Sequence, residues 1–145
     1  MDNYSEYLER IKNGEKGLNP FLDFLDIKLT DLKDGFAEFR MAVRPQYLQG
    51  AKIMQGGLVV ALGDEAIAHA MMTQLAPDEG LTTVELKSNF LAAVSKGELV
   101  AQANVFKKGK SLIIGDCLVA DDTGKNICRV SATFLLLKNK KTARA

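Results

Sequence analysis

Residues 58–72 form a nearly continuous apolar stretch, broken only by Gly63, Asp64, Glu65 and His69. A helix that is apolar almost all round has to be buried on most of its sides, so the rest of the chain must wrap around it. An acid in such a helix costs several kcal/mol to bury without a partner. The stretch therefore predicts a central helix whose acids are either compensated or kept for chemistry.

Alternating apolar and polar residues, bounded by turn sequences, predict six β-strands. They cover residues 25–32, 36–43, 81–91, 98–106, 111–120 and 126–137. A short amphipathic helix over residues 4–12, capped by Asp2 or Asn3, comes before them. Helices do not alternate with strands, which excludes a doubly wound parallel fold. The sequence predicts an α+β protein in which an antiparallel sheet of five to six strands curls over one long helix.

Composition excludes several classes of function. The 145 residues suit a single domain over residues 1–145, and a net charge of +1 selects no nucleic acid or acidic surface as a partner. The N-terminus has no secretory signal and no apolar run spans a membrane, so we expect a cytoplasmic protein. One histidine and no cysteine pair at ligand spacing predict no metal site. Residues 138–145 are typical of a solvated basic tail.

The two cysteines flank a predicted hairpin turn at residues 121–124. A two-residue loop would pair Cys117 with Cys128, whereas a three-residue loop with Gly124 in a bulge would pair Cys117 with Arg129. Because a disulfide cannot be inferred from this spacing, we expect buried reduced thiols.

The central helix begins at Gly56 and Gly57, which have no side chains to cover its first free N–H groups. Those groups, together with the helix dipole, favour an anion or a developing oxyanion. Alternatively, the paired glycines only allow the helix to pass closely under the sheet.

Asp64 lies seven or eight residues beyond these glycines, about 10 to 12 Å along a helix at ~1.5 Å per residue. A base and an oxyanion donor that serve one carbonyl group both lie within roughly 3 to 4 Å of the reacting atoms. One helix cannot supply both, so a site that uses both has to be shared between two subunits. Alternatively, Asp64 is an interfacial acid held by backbone N–H groups or a lysine. The sequence does not settle whether Asp64 or Glu65 faces the cleft.

Short motifs in this order resemble the hotdog-fold acyl-CoA thioesterases of the phenylacetate-pathway (PaaI-like) type. The first three motifs are residues 48–50, 55–57 and 62–64, and the similarity continues through 82–91, 97–99, 108–111 and 132–134. It covers roughly residues 19–137. The resemblance implies a hotdog fold and either a homodimer or a homotetramer in which two dimers pair.

The implied activity is hydrolysis of an acyl-CoA thioester, with CoA as part of the substrate and no separate cofactor. Asp64 would act as general base or nucleophile, and the N–H of Gly56 would polarise the carbonyl from the facing subunit. Thr83 stands where a hydroxyl group helps to orient water. Gln55 and Gln49 stand where the family carries His and Asn.

The resemblance also implies a set of substrate-binding positions: Gly57, Asn89, Phe90, Lys108, Gly109, Lys110 and Ser111. In the resembling proteins, the region of residues 108–111 approaches the CoA phosphates. A glycine that permits close backbone approach, two lysines and a hydroxyl group suit phosphate oxygens. The same four residues are equally typical of a solvated hairpin turn.

Gln55 leaves a second function open. Glutamine cannot exchange a proton near neutral pH, so general-acid help to the leaving thiolate is lost. Because a thiol of pKa ~8.5 is an acceptable leaving group without protonation, we expect hydrolysis to survive the change at a lower rate. The alternative is a non-catalytic protein that binds or senses acyl-CoA. A hydratase is disfavoured, since His69 lies on a different helix face from Asp64 and is predicted to pack in the core.

Overall fold

The computed structural model describes residues 3–138, so the Asp2 cap and residues 139–145 of the predicted tail lie outside it. Lys138, the first residue of the predicted tail, instead ends the last strand. Three helices are present: α1 (Tyr4–Lys12), α2 (Pro20–Leu25) and α3 (Gly56–Met72), with a 3-10 turn at Pro45–Tyr47. Asn3 caps α1. The strands are β1 (Lys28–Lys33), β2 (Phe36–Ala42), β3 (Glu79–Phe90), β4 (Glu98–Lys108), β5 (Leu112–Asp121) and β6 (Asn126–Lys138).

All six strands form one antiparallel sheet in the order β1-β2-β4-β5-β6-β3. The sheet curls over α3, whose inner residues Leu62, Ala66 and Ile67 are completely buried. Gly63 lets the helix approach closely, since a Cβ there would stand 2.7 Å from a methyl carbon of Val130. The predicted α+β architecture, with one buried central helix, is confirmed.

The first predicted strand, 25–32, is wrong at its start. The side chain of Asn19 accepts hydrogen bonds from the N–H groups of Phe21 and Leu22, and Pro20 fits the first helical position. This cap starts the short helix α2, which continues through Leu25. The strand therefore begins only at Lys28.

The cysteine register differs from both predicted alternatives, because Cys117 lies opposite Val130. The turn itself has three residues, since Asp121 donates its N–H to the carbonyl oxygen of Lys125 and Gly124 has a φ of 87°. An additional β-bulge between Val119 and Ala120 shifts the pairing by one more residue. Both cysteines are buried and free, as predicted.

Strand β3 is a long free edge of the sheet. It has twelve residues, and Val84, Leu86 and Phe90 on it are 61%, 37% and 57% exposed. Exposed backbone N–H and C=O groups with apolar side chains between them are a template for pairing with another strand. None of the described helices combines the length and apolarity needed to cross a membrane.

Candidate active site

The start of α3 presents two free backbone donors. Within residues 3–138, the N–H groups of Gly56 and Gly57 donate no hydrogen bond. Gln55 caps the helix instead: its Oε1 accepts from the N–H of Leu58 at 3.0 Å. The glutamine side chain therefore folds back over the first turn, with its Oε1 beside Gly57, and accepts from neither glycine amide.

A mostly apolar cavity of about 390 Å³ adjoins these glycines. Its wall includes Gly56, the ring of Phe90 and a single polar side chain, that of Gln49. The Phe90 ring packs directly on Gly56, because a Cβ there would stand 3.0 Å from its Cζ. Three sequence-predicted site residues thus meet here. The complete lining is Gln49, Ile53, Met54, Gly56, Val59, Phe90, Leu91, Ala92, Ala93, Val94 and Ile127.

Asp64 lies eight residues farther along α3 and does not line this cavity. Its Oδ1 is enclosed and has no hydrogen-bond partner among the described residues. Burial raises the pKa of this carboxyl group. The alternative, in which backbone N–H groups or a lysine hold Asp64, therefore finds no such partner in residues 3–138.

The two neighbouring acids of α3 point in directions about 100° apart around the helix axis. Gly63 packs on Val130 of β6, whereas His69 packs on Phe39 of β2 with the ring centroids 4.8 Å apart. On a helix with about 100° per residue, Asp64 then lies toward β6 and the free edge strand β3, and Glu65 lies toward β2. Asp64 is thus the acid directed toward the open edge of the molecule.

Glu65 belongs to a polar cluster that joins α3 to the N-terminal segment. Asn19 donates from Nδ2 to Glu65 Oε2 at 3.3 Å and to the Tyr7 hydroxyl at 3.2 Å. His69 Nδ1 lies 2.7 Å from the Glu65 carbonyl oxygen, which can only accept, so this nitrogen carries the proton. Nε2 then accepts from the Tyr7 hydroxyl at 2.9 Å. Sequence reasoning missed Tyr7 and Asn19, because their spacing indicated only helix packing and a turn.

Partial burial of Glu65 and complete burial of His69 shift the pKa values of both groups. Burial, followed by the charge of Asp64, raises the pKa of Glu65 to about 7, against the hydrogen bond from Asn19. Burial lowers the pKa of His69 to about 4, so the ring is neutral near pH 7. His69 is 1% exposed, which confirms it as a packing residue.

The turn at residues 108–111 lies at the other end of the molecule from the glycines. Lys108 Nζ donates to the carbonyl oxygen of Gln74, just past α3, and pairs with Glu79 at the start of β3. Phe90, next to Gly56, is at the other end of that twelve-residue strand, roughly 35 Å away at ~3.3 Å per residue. Lys110 and Ser111 are exposed. One protomer therefore does not bring this turn to its own glycines.

The remaining predicted site residues lie along β3. Thr83 is exposed and lies opposite Phe134 of β6, beside the bulge that turns Val84 outward. Asn89 lies opposite Arg129, one residue before Phe90. In residues 3–138, no group of three or more His, Cys, Asp or Glu side chains is arranged to hold a metal ion.

A family model described as the thioesterase superfamily matches residues 51–128, which include α3, the cavity wall except Gln49, and most of the sheet. The chain belongs to the thioesterase superfamily. A superfamily relative, the 1,4-dihydroxy-2-naphthoyl-CoA hydrolase of Listeria monocytogenes, is 26% identical over 117 residues, which are 81% of this chain and 95% of that protein.

Solved structures share the thioesterase fold. A thioesterase of Haemophilus influenzae superposes with a TM-score of 0.83 at 19% identity, covering 94% of each chain. The PaaI protein of the phenylacetic acid degradation operon of Escherichia coli superposes with a TM-score of 0.82 at 21% identity, covering 94% of this chain and 98% of that one. The predicted hotdog, PaaI-like fold is confirmed.

Proposed function

We propose that this thioesterase-superfamily protein hydrolyses acyl-CoA thioesters in the cytoplasm, at a site shared between two copies of the chain. The observation that carries the proposal is the pair of open groups on α3. Free amides lie at Gly56 and Gly57, and an enclosed carboxylate without a partner lies at Asp64. These are the donor and the base that attack of water on a carbonyl group requires.

The reaction would proceed in two steps. Asp64 takes a proton from water as its oxygen attacks the thioester carbonyl carbon, and the N–H of Gly56 holds the negative charge that forms on the carbonyl oxygen. Collapse of this intermediate breaks the C–S bond and releases the CoA thiolate and the carboxylic acid. Direct attack by Asp64 is the variant of this scheme, and water would then hydrolyse the resulting anhydride.

The distance between Gly56 and Asp64 along α3 is the reason that the proposed site needs a second copy of the chain. Gly56 and Asp64 are about 12 Å apart in axial rise at ~1.5 Å per residue, too far to serve one carbonyl group. The free β3 edge offers the place where a copy pairs, and Asp64 is directed toward that edge. A two-fold axis there makes the two α3 helices antiparallel, so that Asp64 of one copy meets Gly56 of the other.

The same symmetry gives the turn at residues 108–111 a role. Within one protomer, α3 runs opposite to β3, with Gly56 beside Phe90 at one end and Gln74 near Glu79 at the other. Antiparallel pairing of two β3 strands carries the turn of the second copy to the side where Gly56 lies. Lys110, Ser111 and the amide of Gly109 would then bind the CoA phosphates in trans, while Lys108 holds the turn through Glu79.

Gln55, Gln49 and Thr83 have supporting roles in this proposal. Gln55 keeps the first turn of α3 capped and supplies no proton, so the thiolate leaves unprotonated. Gln49 is the polar side chain of the cavity wall, and in this proposal it would orient the thioester. Thr83 lies on β3, where a second copy would bring its hydroxyl group toward the attacking water. Asn89 and Phe90 would border the bound pantetheine, and dimers would pair into tetramers.

The name of the Listeria relative, a CoA hydrolase, supports acyl-CoA as the substrate class. The second candidate is a protein that binds acyl-CoA without turnover. It is favoured by the side chain of Gln55, which is occupied in the helix cap and cannot act as an acid.

A thiol-release assay over short, long and aromatic acyl-CoAs separates the two functions. Hydrolysis predicts release of free thiol from at least one of them, and loss of that release in Asp64→Asn. Tight binding in isothermal titration, with no thiol released from any member of the panel, would instead establish the binding protein.

We expect lysines at the β3 edge to abolish both assembly and activity. Val84→Lys with Leu86→Lys places like charges on both copies where two β3 strands would meet, so the charges repel and the apolar contact is lost. Light scattering should show a monomer with an unchanged circular dichroism spectrum and at least 100-fold lower turnover, an order of magnitude set by loss of the shared base. Phe24→Lys, at a phenylalanine of α2 that is 80% exposed and lies away from β3, is the control. A fully active monomer would contradict the shared site.

A further inference from the structure

Glu65 is a partly buried titratable group that the proposed reaction does not use. It directly follows Asp64 on α3, and its side chain is 24% exposed. The titratable groups that face it are Asp64 and His69 from α3 and Tyr7 from α1. The segment between α1 and α2 contributes the neutral amide of Asn19, and β2 contributes only the Phe39 ring against His69. No cation of the described residues pairs with Glu65.

This cluster fixes where Glu65 stands. Its Oε2 accepts from Asn19 and lies 3.6 Å from His69 Nδ1, whose proton is directed at the Glu65 backbone carbonyl. The imidazole is completely buried and held on its other side by Tyr7. The carboxyl group is therefore held on the β2 side of α3, where it cannot reach the substrate beside Asp64 but can act on Asp64 through its charge.

The charge movement in the proposed reaction determines whether the charge of Glu65 speeds or slows the step in which Asp64 acts as base. In the transition state, negative charge leaves the carboxylate of Asp64 and appears on the carbonyl oxygen, which is farther from Glu65. A negative charge next to Asp64 favours this displacement, because it makes Asp64 a stronger base. An adjacent neutral carboxylic acid has no such effect.

We propose that Glu65 is a positioning residue that activates the base: its ionised form, held by Asn19 and the His69–Tyr7 pair, increases the basicity of Asp64. The inference rests on the proposed function. The two acids titrate as a pair, with the first proton leaving mainly Asp64 and the second mainly Glu65, whose pKa is raised to about 7. Turnover should then rise in two steps with pH, the second of them near neutral pH.

The test compares pH profiles of kcat for the natural chain and Glu65→Gln, which keeps an oxygen for Asn19 but cannot ionise. In Glu65→Gln the upper step of the kcat profile should disappear. The variant should be roughly threefold slower than the natural chain above pH 8 and equal to it at pH 6. A threefold change is the effect of about one pKa unit in the basicity of Asp64 at a Brønsted slope near 0.5. Asn19→Asp keeps the α2 cap but replaces the donor with a charge, so the upper step should move to higher pH.

Carbon-13 NMR of the glutamate carboxyl groups, assigned with Glu65→Gln, provides a readout that needs no substrate. Glu65 should titrate within about one unit of pH 7, and Asn19→Asp should raise that midpoint. Titration below pH 5 would overturn the inference whatever the activity. Titration near neutral pH with coincident kcat profiles would overturn the activating role. Absence of thioester hydrolysis would refute the proposed function and, with it, that role, while the NMR titration still reports on the acid pair.

Discussion

Asp64→Asn should lower kcat for acyl-CoA hydrolysis about 10³-fold and leave KM within a few-fold of its original value. The amide has nearly the same shape as the carboxylate but cannot accept the proton of the attacking water, and a positioned general base contributes about 10²- to 10⁴-fold. The enclosed Oδ1, which has no partner among the described residues, indicates that no ion pair or capping bond is lost. Steady-state thiol release at pH 8 measures the effect.

The neighbouring acid supplies the control for this substitution. Glu65→Gln removes a carboxyl group from the same helix, one residue away but on the side toward β2. It should cost no more than about threefold at this pH, the effect of one pKa unit on a neighbouring base. If Glu65→Gln lost activity about 10³-fold and Asp64→Asn did not, the base would be assigned to the wrong acid.

Gly56→Pro should lower kcat about 10²- to 10³-fold, since it removes the N–H proposed to hold the oxyanion. Proline suits this position because Gly56 is the first residue of α3 and its N–H takes no part in the helix. The preceding residue, Gln55, already has the extended backbone that proline requires, with φ −64° and ψ 123°. The fold should therefore be retained, and thermal unfolding of the variant checks this.

Gly56→Ala is the matched variant for the steric part of the change. Both substitutions add a Cβ 3.0 Å from the Phe90 ring, which has to move by a few tenths of an ångström. Only proline removes the N–H. The ratio of kcat between the two variants thus measures the loss of the hydrogen-bond donor together with the two ring carbons that proline adds. Equal losses in both would mean that the amide of Gly56 plays no part and that only space beside Phe90 matters.

The central helix and the sheet class could be predicted from sequence because they rest on periodicity. Residues 58–72 are apolar on nearly all sides, and only a wrapped sheet buries such a helix. The structure differs from the predicted strand bounds and pairing where a single residue controls the backbone conformation. Asn19 caps a helix that replaces the start of the first predicted strand, and one bulge after Val119 shifts the pairing of Cys117.

The candidate site was only partly predictable for a different reason. Gly56, Asp64 and Gln49 come from local motifs, which the sequence displays directly. The cluster around Glu65 joins residues that are 46 to 62 positions apart, and neither Tyr7 nor Asn19 carries a signal that pairs it with α3. Likewise, the distance between the turn at residues 108–111 and Gly56 follows from strand topology, which places them at opposite ends of β3.

Mixing two inactive variants tests the shared site most directly. Asp64→Asn and Gly56→Pro, carrying different affinity tags, are co-expressed, and the mixed dimers are purified through both tags. If each site takes Gly56 from one copy and Asp64 from the other, a mixed dimer has one intact site and one doubly altered site. It should then recover about half of the natural activity per dimer. If both residues of a site came from the same copy, every site would carry one defect, and mixed dimers as inactive as their parents would contradict the shared site.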